Sequence, residues 1–509
     1  MRSLLLFLVL ATYFVALAAC SSTAYAQADL ETTPTLVMVE ETLIREDSVS
    51  FTFERGALTV PVHRARDSEE TISVEVIRFQ RNADAPADAP PIFVLRGGPG
   101  WPSIDGDLES DYFRFFLQPL LAASDLVFVG QRGFGTSKDT PCPDREPLSL
   151  EDSFDDALRE QAMLEALVHC RELWESEGLD LTGFNVIEAA GDVADAARAL
   201  GYRQIQPFGS SYGGHVGMAV LRYHPEIVAR ATIMGLEGPD HTYDSPDGLL
   251  TTLETIAAAA EASEVLAPHI PEGGLIAAYG DLIRRADAEP IVVETEHPDT
   301  GDLVTVRLDG DDFRTLSLGA TRGLAWRYLV PAWPLDILAM VNGDYQAAAR
   351  RIIILNTRTR LRNAAFYQLD CGSGITAERR ERYLQSAGMA IVGDVGRFYD
   401  VECAAWDADL GDDFRTGFVT DIPTVLIHGT WDANTPYSNA LELLPSFQNH
   451  HFMTLEGGSH GALWEAIESE EGLEESLIHW MATGNTDPLP KRVQIPLLPS
   501  VEWRAPSGE

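Results

Sequence analysis

The sequence predicts an α/β fold, a doubly wound, mostly parallel sheet with an inserted, largely helical cap, and three observations carry that prediction. Short apolar runs at Ile92–Leu95, Leu126–Val129, Ala231–Met234 and 424–427 each end in or near a glycine-bearing turn, as strands buried on both faces do. Helical patterns at 192–200 and 212–223 lie between such runs, so strand and helix alternate. From 241 to 420 the rhythm breaks into alanine-rich helical patterns, at 251–267 and 344–354, around a hairpin at 290–308 that turns near Asp299-Thr300-Gly301.

Each element then follows in chain order. Residues 33–82 read as extended β, with alternation in 58–62 and 72–76 between glycine-bearing and charged turns. Another extended run, 205–208, enters the helical pattern at 212–223. The sheet resumes at Pro423, 452–455 is a further strand, a helix runs from 465 to 480, and a proline-bearing tail starts at Pro488. The expected organisation is a signal peptide and tether at 1–28, a first part of the core at 29–240, the cap at 241–420 and a second part of the core at 421–509.

Composition bounds the function. In 509 residues, 45% hydrophobic and 23% charged, a large core can be buried, and wholesale disorder is excluded. The 37 basic and 78 acidic side chains give a net charge of −41, a field that repels phosphate backbones, so nucleic acid is excluded as a partner. Lysine occurs only at Lys138 and Lys491, and the acidic excess is spread along the chain as a solvated surface.

Arg2 followed by an apolar run from Leu4 to Ala19 has the shape of an export signal. Two cleavage sites compete. Leu17-Ala18-Ala19-Cys20 resembles a lipobox, which would make Cys20 a lipidated first residue anchored to a membrane, and Ala24-Tyr25-Ala26 suits ordinary signal peptidase. The protein is therefore expected in the periplasm, on a membrane or secreted. Four further cysteines, Cys142, Cys170, Cys371 and Cys403, admit three pairings; proximity favours Cys142 with Cys170 and Cys371 with Cys403, the alternative being four free thiols. No metal-ligand spacing occurs, and no cofactor is implied.

Gly209-Ser210-Ser211-Tyr212-Gly213 matches G-x-S-x-G, in which glycines let the chain turn sharply from strand to helix and expose the serine oxygen. A second match, Gly457 to Gly461, lacks a comparable helix behind its serine but carries a histidine. Ser211 is thus the expected nucleophile and His460 its base, since a serine hydroxyl needs a proton acceptor to attack at neutral pH. Asp432, in a turn after an apolar strand, is the expected orienting acid, ahead of neighbours such as Asp421 and Asp407. Tyr212 N–H and Gly98 N–H, the latter in Arg96-Gly97-Gly98-Pro99-Gly100, are the expected oxyanion donors.

These residues resemble a known group, the α/β-hydrolase serine peptidases that include prolyl aminopeptidase and the secreted bacterial tripeptidyl aminopeptidases. An HGGPG-like turn, a DQRGxGxS segment, a GxSYGG elbow, G-x-x-D-x-x-T-P and a late G-x-H are similar to residues 96–100, 130–137, 209–214, 429–436 and 458–460, in that order. Arg96 stands where His or a small residue is usual, and Gly130 where Asp is usual. The resemblance implies the α/β-hydrolase fold and removal of residues or tripeptides from the N-termini of short peptides, with acidic groups near the cap binding the ammonium. Glu237 is the candidate for that role, a solvated loop carboxylate being the other reading. The alternative function is a carboxylesterase or amide hydrolase using the same three residues on a small substrate. Oligomeric state is not readable.

Overall fold

The computed structural model describes residues 35–44, 50–66, 69–101, 108, 110, 112–322 and 332–495. The expected signal segment and Cys20 lie outside them. Three antiparallel strands come first, β1 (Leu36–Ile44), β2 (Ser50–Pro61) and β3 (Thr71–Phe79). Residues in β2 alternate between buried and exposed toward its ends, the pattern of a sheet with one wet face. β4 (Ile92–Leu95) and β5 (Leu126–Val129) are instead buried along their whole length, because helices cover both faces there.

Helices α1 (Asp156–Ser176) and α2 (Val186–Ala199) lead to β6 (Gln206–Ser210), α3 (Tyr212–Tyr223) and β7 (Ala231–Met234). α2 starts six residues before the apolar pattern suggests. Asn185 caps it by accepting from Glu188 N at 3.0 Å, so its first turn is set by a cap rather than by periodicity.

Between β7 and the next strand of the large sheet lie α4 (Pro246–Glu261), α5 (Leu275–Ala288), the hairpin β8 (Ile291–Glu296) and β9 (Leu303–Leu308), α6 (Gly310–Arg322), α7 (Ala332–Val341) and α8 (Gln346–Thr357). They are followed by α9 (Ala364–Ser373), α10 (Ala377–Leu384), α11 (Met389–Val392), α12 (Arg397–Cys403) and α13 (Asp412–Arg415). The chain then returns with β10 (Thr424–Gly429), α14 (Tyr437–Leu443), β11 (His450–Glu456), α15 (Ala462–Ser469), α16 (Leu473–Thr483) and β12 (Arg492–Gln494). The single helix expected at 465–480 is two, parted at Gly472, whose φ of 83° ends one turn and starts another.

The ten-stranded sheet runs β1-β2-β3-β5-β4-β6-β7-β10-β11-β12. From β5 through β12 every neighbouring pair is parallel, and β1, β2, β3 and β5 pair antiparallel. β10 lies beside β7 although 189 residues, 235–423, intervene between Met234 and Thr424, so the helical insertion leaves the sheet and rejoins it at the next position.

Three apolar clusters form the core. Two cover the faces of the sheet, and the third belongs to the insertion, joining α4, α5, α7 and α8 around Leu253, Tyr279 and Trp333. Trp431 and Ala433 pack in that third cluster, so the loop after β10 is gripped by the insertion on both sides of Asp432. Disulfides join Cys142 to Cys170 and Cys371 to Cys403, the pairing that proximity favours.

Candidate active site

Ser211 sits between β6 and α3 with φ 57° and ψ −130°, a conformation that L-residues adopt at sharp strand-to-helix turns. Ser211 N donates to Met234 O of β7 at 3.0 Å, and Ser211 O accepts from Gly214 N at 2.7 Å, which fixes the turn from both sides. A Cβ on Gly209 would strike the Gly213 carbonyl, and one on Gly213 would strike the Leu95 carbonyl. The glycines of the motif are thus required by close backbone approach, and the local sequence compels the elbow.

Opposite the elbow is the turn after β4. A Cβ on Gly97 would lie 3.3 Å from Ser211 Cβ and 3.7 Å from its Oγ, so this glycine lets the turn close on the nucleophile. Gln131, in the segment after β5, holds the turn: its Nε2 donates to Arg96 O and Gly97 O, each at 2.9 Å, and its Oε1 accepts from Gly100 N at 2.7 Å. In the sequence Gln131 is legible only as part of the motif at 130–137; its clamp on the backbone emerges from the fold. Neither Tyr212 N–H nor Gly98 N–H donates a hydrogen bond among the described residues.

The two departures have structural correlates. Gly130 donates its N–H to Glu75 O, and a Cβ there would collide with the Ser137 hydroxyl, itself bonded to Glu75 N at 3.0 Å, so a side chain at 130 would have to displace Ser137 from that bond. Arg96 lays its guanidinium over the Trp101 and Tyr112 rings at 5.5 and 5.9 Å from their centroids. Arg132 of the same segment is fully buried, forked onto Asp192 at 2.8 and 2.6 Å, and serves the core.

Asp432 and His460 meet. His460 Nδ1 lies 2.7 Å from Asp432 Oδ2, which also accepts from Thr435 Oγ1 at 2.9 Å, and Asp432 Oδ1 accepts from Asn434 N and Thr435 N, both at 2.9 Å. Burial alone would push the Asp432 carboxyl up; the charge and hydrogen bond of His460, with help from the Thr435 amide, outweigh it and hold the group below the ordinary carboxylate range. His460 shows the converse. Burial disfavours the imidazolium, and Asp432, with the more distant Asp244, overcomes that and raises the ring above its ordinary value.

Gly235 brings base and nucleophile together. It has φ 55°, and a Cβ there would stand 2.9 Å from His460 Cε1 and 3.5 Å from Ser211 N. The Ser211 hydroxyl makes no hydrogen bond among the described residues, a looseness common in unliganded sites. α4 reaches the acid from behind, Thr252 Oγ1 donating to Asp432 O at 3.2 Å.

Glu237, three residues past β7, is partly buried beside Tyr212. Burial, then the like charges of Asp370 and Asp244, lift its carboxyl well above the ordinary range. Asp370 comes from α9 and Asp244 from the loop before α4; nothing local in the sequence marks either. The Tyr212 hydroxyl is buried without a hydrogen-bond partner and is raised by burial and by Asp370 and Glu237. His215, on α3, pins this wall: its ring reaches Glu237 O at 3.3 Å and Ser373 Oγ of α9 at 2.9 Å. Burial lowers that ring to about 4, so it is neutral.

Comparison with known proteins bears on fold and class. A family described as alpha/beta hydrolase fold matches residues 90–261, and one described as TAP-like protein matches 391–491. No curated protein matches the chain. Among solved structures, a serine hydrolase from Cycloclasticus zankles is 15% identical, with 85% of this chain and 100% of that one covered, at a TM-score of 0.34. An epoxide hydrolase from an endophytic Streptomyces is 12% identical, with coverage of 90% and 98% and a TM-score of 0.34. An esterase from Exiguobacterium antarcticum is 13% identical, with coverage of 81% and 96% and a TM-score of 0.35. With the strand order and the helical insertion, these matches show an α/β-hydrolase fold, and residues 391–491 are similar to the TAP-like family.

Proposed function

We propose that this hydrolase is an exported serine aminopeptidase that removes N-terminal residues or tripeptides from short peptides through an acyl-enzyme. The observation that carries the reading is the acidic wall of Glu237, Asp370 and Asp244 set against Tyr212 and His460. The like charges of Asp370 and Asp244 raise the proton affinity of Glu237, and a substrate ammonium entering beside it relieves that repulsion. A free N-terminus is the peptide group that supplies it.

The chemistry follows from the geometry. Asp432 occupies Nδ1 of His460, so Nε2 is the nitrogen left to take the Ser211 proton as Oγ bonds to the scissile carbonyl carbon. Negative charge then develops on the carbonyl oxygen, where Tyr212 N–H and Gly98 N–H serve as donors. His460 returns the proton to the leaving nitrogen as the C–N bond breaks. Water, deprotonated by the same ring, cleaves the acyl-Ser211 ester and restores the serine.

Exclusion of long chains is assigned to the insertion, whose α10 is fastened to the core. Arg379 bonds Asp240 before α4 and Glu442 of α14, and its Nη1 donates to the Tyr383 hydroxyl. The two disulfides fit an oxidising compartment, and among the described residues no helix is long and apolar enough to cross a membrane. Mass spectrometry of the mature N-terminus decides between lipidated Cys20 and cleavage after Ala26.

The experiment that tests the function is hydrolysis of aminoacyl and tripeptidyl chromogenic amides, with and without an N-terminal blocking group, beside short-chain aryl esters, with Ser211→Ala as the blank. Cleavage confined to free-amine peptides is expected, and the released fragment gives the step length. Turnover of esters alone overturns the peptidase reading in favour of a carboxylesterase.

A further inference from the structure

We propose that His428 is a positioning residue that couples the Asp432 loop to the acidic wall through a single imidazole tautomer. It lies on β10, is 1% exposed, and touches neither the nucleophile nor the elbow in any hydrogen bond. Its Nδ1 faces Leu236 N at 3.0 Å. An amide N–H only donates, so Nδ1 must be the acceptor and the ring proton must sit on Nε2. That proton is directed at Thr435 O, 2.7 Å away, with Asp432 Oδ2 at 3.5 Å.

Both ends of this link reach the chemistry. Thr435 supplies two of the hydrogen bonds that hold the Asp432 carboxylate, from its N and its Oγ1. Leu236 directly precedes Glu237. A neutral ring between them therefore ties the exit of β7, which carries the acidic wall, to the exit of β10, which carries the orienting acid. A protonated ring could not do this, because Nδ1–H would meet the Leu236 N–H donor head on. The charged groups that act on the ring are Asp432 and His460, and the Tyr437 ring packs at 5.9 Å between centroids. Burial disfavours the cation and outweighs the pull of Asp432, which keeps the tautomer neutral.

The two ends of the ring can be removed separately. In His428→Asn the amide oxygen reaches the place of Nδ1 and can still accept from Leu236, and the distal donor is lost. In His428→Gln the distal NH₂ can still reach Thr435 O, and the near acceptor is lost. His428→Asn is expected to lower kcat about 10- to 100-fold on an aryl ester and on a free-amine peptide alike, with KM nearly constant. It should also move the acid limb of the kcat/KM profile to lower pH, because Asp432 then holds the His460 proton less well. His428→Gln is expected to raise KM for the free-amine peptide about 10-fold and to lower ester kcat less than His428→Asn does.

The second arm rests on the peptidase reading and the first does not. If the parent cleaves no peptide, the ester arm and the acid limb still decide whether His428 serves Asp432. The proposal is overturned if both variants, folded by near-UV circular dichroism, keep the parental constants and acid limb. It is equally overturned if they lose kcat and KM together on every substrate with the limb unmoved, as filling of core space alone would produce.

Discussion

The elbow around Ser211 and the acidic cluster around Glu237 are built by different means. The elbow uses backbone: a serine at positive φ and glycines at 97, 209, 213 and 235 where side chains would crowd their neighbours. The acidic wall uses side-chain charge, drawn from the exit of β7, the loop before α4 and the end of α9. Backbone catalysis needs contiguous residues in fixed dihedrals. Charge recognition needs only convergence, so its members can come from anywhere the fold allows.

Perturbing the nucleophile and its base should have the largest consequences. Ser211→Ala and His460→Ala are each expected to lower turnover of any substrate by about 10⁴-fold or more with folding intact, measured as kcat on both esters and peptides. Parental turnover in either variant would remove the residue from the mechanism. Activity should also fall as pH drops through a midpoint above about 6.5, since the Asp432 partnership raises His460 and the base must be neutral to act.

Next comes Gly235→Ala. The added methyl meets the His460 ring at a positive φ, so ester kcat should drop about 10- to 100-fold, with a lowered Tm from the strained backbone. On the acidic wall, Glu237→Gln should raise KM for free-amine peptides about 10- to 100-fold and leave ester kcat unchanged. The same variant should be more stable than the parent in alkaline solution. A carboxyl raised by folding contributes stability below its ordinary value and loses it as pH rises through the raised one, and glutamine has no such loss.

The smallest effect separates the disulfides. Cys371 adjoins Asp370 on α9, and Cys142–Cys170 ties α1 to a loop that bears none of the three acids. Replacing either pair by serine should cost about 3 kcal/mol in unfolding experiments, by loop entropy. Only Cys371→Ser with Cys403→Ser should also raise KM for free-amine peptides a few-fold, because α9 carries Asp370. Equal KM in both double variants would detach Asp370 from substrate binding.

Legibility in the sequence followed the same division. Strands β4, β5 and β7 coincide with their apolar runs, α3 with its helical pattern and the β8–β9 hairpin with its turn, because local periodicity and turn chemistry suffice there. Ser211, Asp432 and His460 could be named because each follows a strand at a glycine-bearing turn. Helix starts were less legible: Asn185 and Ser245 set α2 and α4 by capping, ahead of any apolar period. Helices α11 and α13 span four residues each, too short for an apolar period to show, whereas α5 buries Leu275, Tyr279, Leu282, Ile283 and Ala286 at helical spacing and was legible though not assigned.

The sequence by itself determined the sheet, the insertion, the elbow and the three candidate residues Ser211, Asp432 and His460, since these depend on periods, glycines and chain order within short segments. It determined the cysteine pairing only as a preference. Tertiary structure decided which side chains share a site. The clamp of Gln131 on the turn after β4, the grip of the insertion on Trp431 and Ala433, the tautomer of His428 and the gathering of Asp244 and Asp370 around Glu237 all join segments far apart in the chain. Such contacts leave no local pattern, because burial and charge at a point depend on everything the fold brings there.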